Sequence, residues 1–331
     1  MHSLLTRRRF QALLAAGGYG ALGLLQPARG QDFPSRSVRM VLPVGTGGGG
    51  DTLGRAIADQ LAAQIRHPVV VDNKPGADGL IAMQALLSAP ADGHTMLLIG
   101  PQPMVFNPLL RSDLPYKPSD LVPLIGVSSS WTTVITGPNS RFANFQQLAA
   151  AVARERDAVS LGTSGLSYRV GATLLGSKLG GRFRQVNYKS FPQILNDLLG
   201  GVLDVALVDT TPVVPLQAAG RLRVLAAASK ERLPQLPAVP TVRESGVDFE
   251  FALWTALAVR AGTPAEHVRK LEADLRRALT SEALRDFVAR LGTTQLTPIG
   301  GSEIASLIAT SLAQYREPVA EISAEVGVDK R

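Results

Sequence analysis

Short apolar runs, each closed by glycine or proline and followed by a helical pattern, recur along the chain at 38–44, 69–71, 95–99, 159–161, 186–188 and 205–208. That alternation specifies an α/β protein built on parallel strands. Two stretches break the rhythm and read as long extended segments: Leu121 to Val127 with Trp131 to Thr136, and Phe249 to Arg260 around Trp254. They bracket a central region with its own alternation of strands and helices. A chain that leaves one α/β layer, builds a second and returns makes two lobes joined by two crossing strands, with a cleft between. The 331 residues, 45% of them hydrophobic, suffice for two such cores.

Residues 1–30 are read as an export signal of the twin-arginine type. Thr6-Arg7-Arg8-Arg9-Phe10 precedes a mildly apolar run, Ala12 to Leu25, and then Ala28-Arg29-Gly30, a small-x-small cleavage pattern that places processing near Gly30/Gln31. The apolar run is too short for a bilayer of about 30 Å and is loosened by Gly17, Gly18, Gly20 and Gly23. Four of the basic residues behind the net charge of +7 are Arg7, Arg8, Arg9 and Arg29, so residues 31–331 carry only +3. The remaining cations are dispersed and lack interleaved aromatics, which argues against a nucleic-acid partner. With no cysteine, the chain has no disulfide, no thiolate metal site and no lipid attachment through an amino-terminal cysteine. A soluble periplasmic protein is expected.

Behind the first apolar run lies Leu42-Pro43-Val44-Gly45-Thr46-Gly47-Gly48-Gly49-Gly50-Asp51. Asp51 is a good helix N-cap, and Leu53, Ile57, Leu61 and Ile65 recur every fourth residue after it, so the glycines stand at a strand-to-helix junction. The spacing Gly45-x-Gly47-x-x-Gly50, with Asp72 closing the next apolar run, also fits a dinucleotide-binding fingerprint, and an NAD-dependent dehydrogenase is the competing reading. Pro43 inside the strand and the export signal oppose it. A P-loop fails because Asp51-Thr52 replaces the required Lys and hydroxyl residue. Gly162-Thr163-Ser164-Gly165-Leu166 lacks the last glycine of a nucleophile elbow. His67, His94 and His267 occur singly, so no metal site and no catalytic residue is expected. What remains is one glycine-rich loop at a helix N-terminus and one Thr/Ser/Gly loop, Gly162 to Tyr168, after a strand in the other lobe. Both can be plain tight turns. Facing each other, their bare N–H groups would hold a carboxylate-bearing ligand.

At these residues the chain resembles the periplasmic substrate receptors of tripartite tricarboxylate transporters, the Bug-type solute-binding proteins. The likeness runs in order through Pro43 to Asp51, Asp72-Asn73-Lys74-Pro75-Gly76-Ala77, Pro90-Ala91-Asp92-Gly93-His94-Thr95 and Leu114-Pro115-Tyr116-Lys117-Pro118. It continues through Val186-Asn187-Tyr188-Lys189, Leu198-Leu199-Gly200-Gly201, Gly220-Arg221-Leu222-Arg223, Pro240-Thr241 with Glu244 to Gly246, Trp254 and Gly262-Thr263-Pro264. The resemblance implies a Venus-flytrap fold of the type II periplasmic binding class and ligand capture without chemistry or cofactor. Carried onto this chain, the ligand-binding residues are Val44, Gly45, Thr46, Gly47, Gly48, Gly49 and Asp51 from the first loop. The second lobe supplies Thr163, Ser164, Gly165, Ser167, Tyr168 and Asp209. Asp51 also reads as a helix cap and Asp209 as a strand end.

Three positions depart from the family: Val44-Gly45 replace an aromatic and then proline or alanine, Gly50 replaces a hydroxyl residue, and Arg169 replaces histidine. The expected division is 31–125 plus 228–331 for lobe 1 and 126–227 for lobe 2. The expected partners are a small carboxylate solute and the membrane components of a tripartite transporter, with the receptor a monomer. A receptor that reports to a sensor protein would need the same closed surface.

Overall fold

The computed structural model describes residues 33–47, 49–155, 157–291 and 295–326; the export signal and Gly292, expected at a helix end, lie outside them. Ten strands are present among the described residues: β1 (Val38–Leu42), β2 (Val69–Asn73), β3 (Thr95–Ile99), β4 (Leu121–Thr136), β5 (Ser160–Thr163), β6 (Arg184–Asn187), β7 (Val205–Asp209), β8 (Arg223–Ala227), β9 (Ala252–Arg260) and β10 (Gln295–Leu296). The helices are α1 (Gly49–Ile65), α2 (Leu80–Leu87), α3 (Asn107–Leu110), α4 (Phe145–Arg154), α5 (Leu166–Lys178), α6 (Phe191–Leu199), α7 (Val213–Ala218), α8 (Ala265–Leu279), α9 (Glu282–Leu291) and α10 (Gly301–Val326).

The strand order is β2-β1-β3-β9-β4-β7-β5-β6, with β8 and β10 also pairing with β4. β1 runs parallel to β2 and β3, and β5 runs parallel to β6 and β7, so each half of the sheet has the parallel core that the alternation predicts. The fold is the two-lobed α/β architecture, and the crossing strands hold its halves together. The first of the two extended stretches, Leu121 to Val127 with Trp131 to Thr136, is one continuous strand that also takes in Ser128 to Ser130, and the second contains β9. From Leu121 to Trp131 β4 pairs antiparallel with β9, and from Thr132 to Thr136 it pairs with β7. Register shifts fall at Pro123/Ile125 and Gly126/Ser128, and Pro123 can donate no ladder hydrogen bond. β8, which pairs with Thr133 to Thr136, was not marked by the apolar pattern.

Packing follows the helical periods. Ile57, Leu61 and Ile65 on α1 are buried, as are Leu271, Leu275 and Leu279 on α8, and these two helices pack together. Thr263-Pro264-Ala265-Glu266 reads in sequence as a capping box at the start of α8, and it does not form. Pro264 occupies the N-cap, and the Thr263 hydroxyl donates back to the Arg260 carbonyl at 2.7 Å. α10 lies against β4 and α5, where Tyr315 joins an aromatic cluster with Phe106 and Phe251, the latter stacked on Phe249. No helix among the described residues is long and apolar enough to cross a membrane.

Candidate functional site

The glycine loop leaves β1 at Leu42 and enters α1 at Gly49. Asp51 is therefore inside the first turn, not at the N-cap as the sequence suggested, because the helix begins two residues earlier. From there its carboxylate reaches back. Oδ2 accepts from the Gly47 N–H at 2.9 Å and from Arg55 Nε at 3.1 Å, while Oδ1 accepts from Asn73 Nδ2 at 2.9 Å and lies 3.0 Å from Arg55 Nη2. Asn73 Nδ2 also donates to the Val44 carbonyl at 3.1 Å, and Arg55 Nη2 donates to Asn73 Oδ1 at 2.9 Å. Hydrogen bonds from Arg55, Gly47 and Asn73 hold the Asp51 carboxyl down at about 2. Asp51 thus clasps the loop from beneath, with its oxygens engaged inside the chain.

The clasp shapes what is left exposed. Gly47 takes a φ of 80°, a left-handed conformation that disfavours any side chain, and no atom stands within 4 Å of where a Cβ would be. Gly45, Thr46 and Gly47 are exposed, and the amides of Gly45 and Thr46 make no hydrogen bond to a described residue. Open amides beside a helix N-terminus attract anions. Val44 is half-buried and packs over Gly50, whose Cβ position is 3.4 Å from Val44 Cγ2. Gly48 lies outside the described residues, and Gly49 is the first residue of α1.

On the second lobe, Thr163 is the last residue of β5 and is fully buried, so it belongs to the strand and not to the loop. Ser164 is half-buried, and Gly165, φ 98°, ends the loop by capping α5. Its Cβ position lies 3.8 Å from Gln102 Oε1, and Gln102 Nε2 donates to Asp78 at 3.0 Å, so the second loop faces a segment on the β3 side. Ser167 is buried in the first turn of α5, where the Arg169 N–H bonds the Gly165 carbonyl at 3.2 Å.

Tyr168 and Asp209 form one unit. The Tyr168 hydroxyl donates to Asp209 Oδ2 at 2.6 Å, and Ser130 also favours the charged form of the same carboxylate. Burial raises the Asp209 pKa, and these two groups only partly offset it. Burial, together with the Asp209 charge, pushes the Tyr168 hydroxyl well above its usual value. Two buried side-chain atoms here have no partner: Asp209 Oδ1 and Thr163 Oγ1. Each costs about 1–3 kcal/mol while it stays unpaired.

A cavity of about 410 Å³ lies between the lobes at the crossing strands. Of the expected residues, Asp209 lines it, together with Gly50, the neighbour of the glycine loop. The exposed residues 45–47 and the Thr163 to Ser167 segment do not line it. Sequence reasoning missed Ser128, Ser130, Thr211 and Thr255 in its wall. Ser128 and Ser130 had a signal, a polar i, i+2 pair on one face of an otherwise apolar strand. Thr255 had none, since it earns its place by pairing with Ser128 at 2.8 Å from a strand 127 residues away.

Two other expectations resolve in the geometry. Asp72, which a dinucleotide site would need for a ribose hydroxyl, is held by Arg39 Nε at 2.8 Å and lies 3.5 Å from Lys74. His94 and His267, isolated in sequence, meet at Asp92: His267 Nδ1 is 2.9 Å from its carbonyl and His94 Nδ1 3.3 Å from its carboxylate.

Residues 53–322 match the model of the tripartite tricarboxylate transporter family receptor, TctC. The BugT protein of Bordetella pertussis is 30% identical over 311 residues, 92% of this chain and 94% of its own. Among solved structures, MatC of Rhodopseudomonas palustris with bound malate superposes with a TM-score of 0.76 at 26% identity, covering 86% of this chain and 99% of that one. A second R. palustris protein, Rpa4515 with adipate, gives 0.78 at 26% identity over 88% and 99%.

Proposed function

This chain belongs to the tripartite tricarboxylate transporter receptor family, and from that premise we propose how it binds: a small carboxylate-bearing solute is captured between the glycine loop of one lobe and the Thr163 to Tyr168 segment of the other. It is a periplasmic solute receptor, a class that carries no reaction. The observation that bears the proposal is the loop itself. Asp51, Asn73 and Arg55 tie the loop at Gly47 and Val44, and the amides of Gly45 and Thr46, both exposed, make no hydrogen bond to a described residue beside the start of α1. Donors left free in an exposed loop beside a helix N-terminus are available to an anion.

In this reading Val44, Gly45, Thr46, Gly48 and Gly49 offer backbone donors while the Gly47 N–H stays with Asp51, and Thr163, Ser164 and Ser167 offer hydroxyls from the facing lobe. Asp51 acts beneath the loop. Lobe 1 comprises 31–125 and 228–331, and lobe 2 comprises 126–227, with closure by rotation about β4 and the return into β9. The mature receptor begins at Gln31 after export, acts as a monomer, and presents its closed form to the membrane components of a tripartite transporter. The malate and adipate in the two related structures support a carboxylate as the solute. The dehydrogenase alternative loses support because Asp72 is already occupied by Arg39.

A thermal-unfolding screen of residues 31–331 against mono-, di- and tricarboxylates, amino acids, aromatic acids and NAD(H) tests this. A carboxylate at about a hundred times its Kd adds roughly 2.7 kcal/mol of stability, a shift of several degrees. A shift with NAD(H) and with no carboxylate would reverse the reading.

A further inference from the structure

The wall of the cavity between the lobes carries one ionisable group among the described residues. That group is an acid, Asp209. Its neighbours in the wall are apolar, among them Leu53, Leu98, Leu253 and Trp254, with hydroxyls that are mostly spoken for. Ser128 and Thr255 bond each other at 2.8 Å, and the Ser130 hydroxyl donates to the Trp131 carbonyl at 3.2 Å. Asp209 stands at the end of β7 opposite Thr132, where β4 passes from β9 to its second-lobe partners. Tyr168 occupies Oδ2, while Oδ1 is buried with no hydrogen-bond partner among the described residues.

A carboxylate oxygen accepts hydrogen bonds and cannot donate them. A ligand end reaching this wall with a second carboxylate would put two anions together among apolar side chains with no cation to offset them. A ligand end carrying an N–H or O–H would supply the donor that Oδ1 lacks. We propose that the solute this chain selects is a monocarboxylate whose far end donates a hydrogen bond to Asp209 Oδ1, as an ammonium, amide or hydroxyl group. The inference rests on the carboxylate-receptor reading and narrows it: here the two ends of the ligand differ, unlike those of adipate.

The test is calorimetric titration of residues 31–331 with end-group sets of matched length. One set is butyrate, γ-hydroxybutyrate, γ-aminobutyrate, succinamate and succinate, and the same end groups follow on shorter and longer chains. At the best chain length, the donor-ended acids bind at least about tenfold more tightly than the simple acid and the diacid. Asp209→Asn, which removes the charge and adds a donor, lowers the preference for the ammonium member and admits the diacid. A diacid that binds wild type as tightly as the donor-ended acids overturns the proposal, even should the variant fail to fold. So does an unchanged ranking in a folded Asp209→Asn. Binding of carboxylates without end-group preference refutes this inference and leaves the receptor reading intact, whereas no binding by any acid removes both.

Discussion

Replacing Thr163 by valine sets stability and binding against each other. The two side chains share shape and χ1 preference, so the substitution removes the hydroxyl and little else. In this structure Thr163 is fully buried at the end of β5 and its Oγ1 has no partner. An unpaired buried hydroxyl costs about 1–3 kcal/mol, so Thr163→Val is expected to stabilise the ligand-free protein by up to that amount. For a domain of this size each kcal/mol moves Tm by roughly 2–4 °C. If the hydroxyl is kept for the ligand, the same change removes a hydrogen bond worth about 0.5–1.5 kcal/mol, and the affinity for the carboxylate falls about 2- to 12-fold. Differential scanning calorimetry without ligand and titration calorimetry with it read the two effects on one preparation. A variant that melts lower than wild type and binds equally well would show that Oγ1 has a partner within the fold and no role toward a ligand.

Gly47→Val forces a β-branched residue into a left-handed conformation. Carboxylate affinity should drop by more than about tenfold with the far-ultraviolet circular dichroism unchanged; retained affinity would remove the loop from the site. The Asp51 clasp sets a pH dependence. Because the folded-state pKa is depressed to about 2 from 3.8, its contribution is complete above the unfolded value and is lost as pH falls toward 2. The Gly47 amide resonance, followed by NMR, should therefore shift only at the acid end of that window, and a midpoint near the ordinary carboxylate value would refute the clasp. Phe251→Ala opens a cavity between Phe106, Phe249 and Tyr315 and should cost about 3–5 kcal/mol by denaturant unfolding, while the ligand affinity of the folded fraction stays as in wild type.

The β1–α1 junction was legible because two independent signals coincide there, a glycine run and a fourfold spacing of Leu53, Ile57, Leu61 and Ile65. The crossing strands were legible as extended segments, although the polar run Ser128-Ser129-Ser130 left the middle of β4 unmarked. Less accessible was anything decided by where a helix begins. With consecutive glycines before it, α1 can start at several residues, and only the fold shows that Asp51 reaches back from inside the first turn. Thr263 shows the same limit, since its hydroxyl chose the Arg260 carbonyl over the helix that follows. The Tyr168–Asp209 unit and the Ser128–Thr255 pair join residues 41 and 127 positions apart. No local pattern records such a meeting, and it is there that the cavity acquires its polar atoms.

The most direct test of the account is a crystal structure of residues 31–331 with the tightest-binding carboxylate from the screen. It should show the lobes closed, the carboxylate within hydrogen-bond distance of the Gly45 and Thr46 amides, and the Thr163 hydroxyl newly partnered. A carboxylate bound elsewhere, or one held in an open cleft with those amides still facing solvent, would contradict it.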